Sequence, residues 1–322
     1  MTTNMDVKIE ASRPLPICVG ETTKNNRATN VSLTWEELCE RIKSPIRTSE
    51  TYAEYCAMDS VETGRIKDVG YFVGGPSVNG IRNSENITTR NVITLDIDHA
   101  PTDFIEKFER GAGEFDFCVY STHKHSPEKP RFRMLLPLSR TVSGTEYKAV
   151  ARKLAQRIGI EHCDDASYVV PQAMYWPSCS QDAEYMCYVN KGEWVDPDQI
   201  LALYKDWKDA SEWPVSSREK NAPREAVKKA GNPLEKPGLI GLWCRTYSID
   251  DVISKFLSDV YEPTDDPNRY TYIAGTTYGG AIVYDNGLFL YSYHEKDPVS
   301  KTLVNAFDLV RLHKFGGLDE QS

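Results

Sequence analysis

The chain has 322 residues, long enough for two domains that each bury a core of their own. Its 40% hydrophobic and 26% charged residues are an ordinary globular balance, and no apolar run approaches the ~20 residues of a membrane span. A net charge of −9 argues against a protein that coats nucleic acid nonspecifically, while leaving room for a local basic groove.

In chain order, residues 1–30 read as a loose N-terminal arm, with Pro14 and Pro16 followed by a polar stretch that has no periodicity. The segment 32–43 predicts a helix. Thr34 is its N-cap, Glu37 completes a capping box, and Leu38 and Ile42 share one face. A short helix is expected over 48–58 and a strand leading into a glycine turn over 68–75. Residues 92–98 then alternate cleanly as a strand. Ile93, Leu95 and Ile97 point one way; Thr94, Asp96 and Asp98 point the other. A short helix is expected over 101–108. A second alternating run over 117–123 puts Ser121 and His123 on one face. After a proline-rich turn, a third over 131–136 puts Arg131 and Arg133 opposite Phe132 and Met134. The stripe Tyr147, Val150, Leu154 and Ile158 predicts a helix packed on the core. The pair Asp164 and Asp165 then opens an apolar, aromatic segment that closes on Trp176 and Pro177. A strand over 185–189 and a helix over 196–207 are expected next. Residues 211–236 read as a linker, and 237–322 as a small α+β domain with helices over 248–256 and 305–315 around several β runs. Within that domain His294, Asp297 and Asp308 read as surface and capping residues.

The chemistry concentrates between Val92 and Arg133. Two carboxylates at i and i+2 on one sheet face repel each other unless a cation lies between them. Between His123 and Arg140 stand five Lys or Arg residues (Lys124, Lys129, Arg131, Arg133, Arg140) against one acid, Glu128. Acids, a hydroxyl, an imidazole and guanidiniums on three neighbouring strands make a kit for a divalent metal and a polyphosphate. The eight cysteines include no Cys-x-x-Cys pair and read as reduced thiols. His162, Cys163, Cys179 and Cys187 are the one candidate zinc set, at a spacing that fits no standard template.

The apolar run ending in Asp96-Ile97-Asp98 resembles the first motif of the archaeo-eukaryotic primase superfamily. Ser121-Thr122-His123 is similar to its Ser-x-His motif, and the acid of Cys163-Asp164-Asp165 to its third. The segments 121–133, 174–178, 291–294 and 305–311 resemble those of phage and prophage primase-helicases of the virulence-associated E type. From about residue 30 the resemblance covers nearly the whole chain. One departure is Gln172, where the family pattern has Arg. The resemblance implies an α+β fold: an RRM-like catalytic core over residues 31–210 with a flanking α/β subdomain, the linker, and the C-terminal α+β domain ahead of a helicase that would follow. It also implies a DNA primase or primase-polymerase working on a single-stranded DNA template and primer in the bacterial cytoplasm. Asp96, Asp98 and either Asp164 or Asp165 would hold two Mg²⁺ or Mn²⁺ ions. Ser121, His123, Lys124, Arg131 and Arg133 would bind the NTP or dNTP, and Arg82 and Arg90 would line the DNA path. No Walker Gly-x-x-x-x-Gly-Lys-(Ser/Thr) motif is present, so a helicase ATPase would be a partner. Two other readings stand beside this one. His123 and His125 suggest the paired metal ligands of a rolling-circle replication initiator nuclease, and the whole chain suggests a catalytically silent DNA-binding initiation module.

Overall fold

A computed structural model describes residues 13–294 and 296–319. They fall into two compact units that divide between Tyr204 and Lys205. Both mix helices and strands, the α+β class expected.

The first unit opens with strands β1 (Leu15–Gly20) and β2 (Thr29–Leu33) and helix α1 (Trp35–Lys43). Thr34 and Glu37 cap α1 reciprocally, which satisfies two backbone donors at its start. A short strand β3 (Ile46–Arg47) and helices α2 (Tyr52–Ala57) and α3 (Ser60–Ile66) lead to β4 (Tyr71–Val73). The central run is β5 (Thr89–Ile97), α4 (Phe104–Ala112), β6 (Phe117–Ser121), β7 (Phe132–Ser143) and α5 (Gly144–Ile158). Strands β8 (Met174–Tyr175), β9 (Ser178–Cys179) and β10 (Cys187–Asn190) and helix α6 (Pro197–Leu201) complete the unit.

Two four-stranded sheets form, in the orders β10-β6-β7-β5 and β2-β1-β4-β8. The first is antiparallel throughout. Strands β5 and β6 run parallel to each other with β7 between them, the split β-α-β of an RRM-like core. Alternation gives this sheet two faces. Leu95, Val119 and Met134 are fully buried on the face that carries α4 and α5. Val92, Cys118, Tyr120 and Leu135 face the other way, into a core shared with Leu15, Trp35, Phe72, Met174 and Trp176 of the second sheet and α1. Farther along that same face lie Asp96 and Arg133.

Residues 1–12 of the expected arm lie outside the described residues, and the rest of it is not loose. Leu15, Ile17 and Cys18 are fully buried in β1, which pairs with both β2 and β4. Their alternation is short and interrupted by Pro16, which masked it. Likewise the expected linker carries helix α7 (Ser217–Ala230), capped by Ser216, in spite of its polar composition and Pro223.

The second unit continues with α8 (Gly238–Thr246) and α9 (Ile249–Phe256). A five-stranded antiparallel meander follows: β11 (Tyr261–Pro263), β12 (Arg269–Tyr272), β13 (Ala281–Tyr284), β14 (Phe289–Ser292) and β15 (Leu303–Asn305). Helix α10 (Ala306–Asp319) ends it. Asp308 takes part in capping through Asn305, as read. His294 and Asp297, expected at the surface, are instead buried. The Tyr261 hydroxyl donates to Asp297 Oδ2 at 2.7 Å, and His313 Nε2 lies 3.2 Å from Asp297 Oδ1. Burial works to raise the Asp297 pKa, but bonds from His313, Ser292 and Tyr261 outweigh it and hold the carboxyl below its usual range. Partners this far apart in sequence leave no periodic trace.

Leu38 is fully buried in the core between α1 and the two sheets. Leu38→Ala is expected to cost about 2–5 kcal/mol, read as a lower midpoint in chemical denaturation.

Candidate active site

Asp96 sits at the penultimate position of β5 and Asp98 just past its end, so both project from the face opposite α4 and α5. The register of β5 with β7 sets Asp96 across from Arg133, and β6 sets Tyr120 on the other side of the same arginine. Arg133 Nη2 lies 3.5 Å from Asp96 Oδ2, and Arg131 Nη1 donates to Asp98 Oδ1 at 2.8 Å. The third acid comes from the loop after α5. The Asp164 backbone N–H donates to the Asp96 carbonyl at 2.7 Å, and the Asp96 N–H donates to Ser167 Oγ at 2.8 Å. These two bonds lace the loop onto β5. Asp164 faces a cavity of about 350 Å³ beside Asp96 and Asp98, whereas Asp165 begins a 3-10 turn and does not line it.

The electrostatics are strained. The Asp96 side chain is 19% exposed and its Oδ1 is buried without a hydrogen-bond partner. Burial pushes its pKa up, and Asp98 and Asp164 add to the push against the pull of Arg133. Burial also opposes the charge on Arg133, but Asp96 and Tyr120 more than offset it and keep the guanidinium firmly protonated. Lys67 joins the cavity wall with its pKa lowered by burial and by Arg133. Lys124 lines the cavity from an exposed position.

His123 lines the same cavity and is braced on three sides. Nδ1 lies 2.8 Å from Ser178 Oγ, Nε2 lies 3.0 Å from Glu50 Oε1, and the Tyr55 ring sits 4.3 Å away. Burial lowers its pKa in spite of Glu50, so the ring is neutral at pH 7. Burial works to raise the Glu50 pKa, but bonds from Thr48, His123 and Ser180 win and keep the carboxylate charged. A charged Glu50 accepts from Nε2–H, which leaves Nδ1 to accept from the Ser178 hydroxyl. Ser121 lines the cavity as well, its Oγ accepting from the Met186 N–H at 2.9 Å.

Residues 1–216 match the VapE N-terminal domain family. The chain belongs to that family. The AEP domain of the cyanophage S-2L primase-polymerase (PrimPol, PP-N190) is a similar solved structure, at TM-score 0.36 and 16% identity over 58% of this chain and 88% of that one. No curated protein matches the chain.

In this VapE N-terminal domain, Asp96, Asp98, Asp164, Ser121, His123, Lys124, Arg131 and Arg133 come together, while other expected residues do not. Arg90 is fully buried and cannot line a DNA path. Its guanidinium donates to the carbonyls of Val170 and Val92 and to Thr94 Oγ1, and it lies over the Tyr147 ring. Arg82 lies over the Tyr71 ring with weak bonds to Pro171 and Thr23 carbonyls, away from the cavity wall. His123 and His125 face different cavities, so they do not form the metal pair of a rolling-circle nuclease. The cysteines described are free thiols, and among the described residues no group of three or more His, Cys, Asp or Glu is arranged to hold a metal ion as it stands. This holds for the expected zinc set and for Asp96, Asp98 and Asp164 alike. Trp176 packs on Phe72 and under Arg41 as a core residue. Gln172, the departure from the family pattern, lines the cavity. Sequence reading missed Glu50, Ser178 and Lys67, because each reaches the site from a separate, non-periodic segment.

Asp96→Asn is expected to raise the melting temperature of the metal-free protein at pH 7. A raised carboxyl pKa means that the charged form costs stability in the fold. The cost is absent below the ordinary Asp value of 3.8 and grows as pH rises through the folded value. The gain in the variant therefore shrinks as pH is lowered toward that value, which thermal melts across pH will check.

Proposed function

We propose that this VapE N-terminal domain is a metal-dependent nucleotidyltransferase, a primase or primase-polymerase that joins NTPs or dNTPs on a single-stranded DNA template. One observation carries the reading: three carboxylates, a braced histidine and two arginines, from adjacent strands, the segments flanking them and one loop, line a single cavity. Family membership supports it, through the resemblance of these proteins to phage and prophage primase-helicases.

By its chemistry the donor set suits a hard divalent cation, although the three carboxylates are not drawn together around one point. Asp96, Asp98 and Asp164 supply oxygen ligands only, and the unpartnered Asp96 Oδ1 is a buried acceptor in need of positive charge. Mg²⁺ or Mn²⁺ held there would stabilise charge on the attacking and leaving oxygens of the transfer. The chain's own groups do the rest. Arg131 and Arg133 donate charge-assisted bonds to phosphate oxygens, Lys124 adds a point charge, and Ser121 donates its hydroxyl. Glu50 fixes the tautomer of His123 and orients the ring toward the cavity. DNA template and primer, nucleotides and a helicase ATPase are the partners this reading requires, in the cytoplasm of a bacterial host. No helix among the described residues is long and apolar enough to cross a membrane.

The ion pairs of Arg133 with Asp96 and Arg131 with Asp98 favour a second reading, in which the acids are structural and the chain is a silent DNA-binding module. A template assay separates the two. Labelled nucleotides, Mg²⁺ or Mn²⁺ and unprimed single-stranded DNA are expected to yield new chains with the native protein and none with Asp96→Ala/Asp98→Ala. Extension of an annealed primer alone would make it a polymerase without initiation. Absence of synthesis with DNA binding retained would leave the silent module. Independently, saturating Mn²⁺ is expected to raise the native melting temperature and to leave that of Asp96→Asn/Asp98→Asn unchanged.

A further inference from the structure

A second cavity, of about 260 Å³, lies on the other side of the 122–131 loop and takes no part in the chemistry above. Phe104, Ile105, Phe132 and Met186 give it an apolar lining, with His125 and Glu184 as polar groups. The Phe104 and Phe132 rings are nearly parallel at 5.4 Å and 7°, and the His125 ring sits 4.9 Å from Phe132. Phe104 and Phe132 are 1% and 3% exposed, so the rings pack on each other and form an apolar wall of the cavity.

His125 is 4% exposed, and its hydrogen bonding is half complete. The Arg131 backbone N–H donates to Nδ1 at 3.1 Å, so Nδ1 is the acceptor nitrogen. Burial keeps the ring neutral by lowering its pKa, which places its one proton on Nε2. That Nε2 is buried and without a partner. A buried donor left unmade is costly, and such groups mark places where an acceptor belongs. Glu184, close enough to His125 to act on its charge, presents an acceptor of its own. A donor beside an acceptor matches the edge of a nucleobase, where a ring nitrogen or carbonyl stands next to an N–H. The loop also carries exposed Lys124 and Lys129 and half-buried Arg131, a basic approach for a phosphate backbone that Glu128 only partly offsets. The cavity is below the ~300 Å³ at which drug-sized sites begin, a size suited to one small planar group.

We propose that this second cavity binds one unpaired base of a single-stranded nucleic acid, set against the apolar wall of Phe104, Phe132 and Met186 and hydrogen-bonded to His125 Nε2. Its identity as a template contact rests on the proposed nucleotidyl transfer; the binding itself does not.

The test is photo-crosslinking of the full chain to a short single-stranded oligodeoxynucleotide carrying 5-iodouracil, with the crosslinked peptides mapped by mass spectrometry. Adducts are expected on Phe104, His125, Phe132 or Met186. His125→Asn keeps an acceptor for the Arg131 N–H and deletes the Nε2 donor. Met186→Trp fills the cavity from its exposed rim, where folding is not at stake. Each is expected to weaken these adducts and to lower oligonucleotide affinity on the order of tenfold in anisotropy titrations. Adducts confined to other residues, affinity unchanged in both variants, or no binding of the oligonucleotide at all would overturn the proposal. Crosslinks here without any synthesis would remove the primase reading and leave the base site standing. Metal-dependent synthesis with crosslinks elsewhere would remove the base site alone.

Discussion

The pairing of β5 with β7 is the constraint on which the rest depends. It sets Asp96 directly across from Arg133 on one face of an antiparallel ladder, at the spacing where cross-strand partners interact. A slip of one residue would turn both charges into the apolar layer under α4 and α5 and bring Leu95 and Met134 out. The buried alternation of Ile93, Leu95, Ile97, Phe132 and Met134 forbids that slip. The apolar face thus fixes the geometry of the polar one, and the third carboxylate arrives by backbone bonds to the same strand.

This is why so much of the site was legible. Period-two alternation is a local rule, and it put Asp96 with Asp98 and Arg131 with Arg133 on one side; Ser121 ends β6 and His123 lies in the turn beyond it, so these two meet at the cavity without sharing a strand face. Capping chemistry did the same for α1 through Thr34 and Glu37. What escaped was set by partners far away in sequence. Glu50 meets His123 across 73 residues, and nothing in the neighbourhood of Glu50 announces it. Arg90 carries the same charge as a DNA-contacting arginine, but its place on β5 turns it inward toward the Val170 carbonyl. The choice between Asp164 and Asp165 depended on which of them starts a 3-10 turn. Strand β1 was lost because Pro16 within it and Pro14 just before it outweighed three buried apolar residues in a six-residue window.

Arg90 also explains how the site is held from beneath. Its guanidinium joins Thr94, one alternation before Asp96, to the Val170 carbonyl at the far end of the Asp164 loop. Tyr147 of α5 completes the bridge by donating to the Ser167 carbonyl at 2.8 Å. The positions of the first and third acids are therefore coupled through one buried cation and one hydroxyl as well as through the bonds of the Asp96 and Asp164 backbones, and not through the carboxylates themselves.

The arginine–carboxylate pairs have a thermodynamic consequence of their own. Arg131 is already paired with Asp98 and Arg133 with Asp96, so these four charges are close to self-neutralised at rest. An anion that recruits Arg131 and Arg133 draws them off Asp98 and Asp96, and the acids it releases then hold a cation more tightly. By reciprocity, a cation that engages the acids frees the arginines for the anion by the same factor. Oppositely charged ligands entering this cavity would be linked by an exchange of partners, with each binding better in the presence of the other than alone.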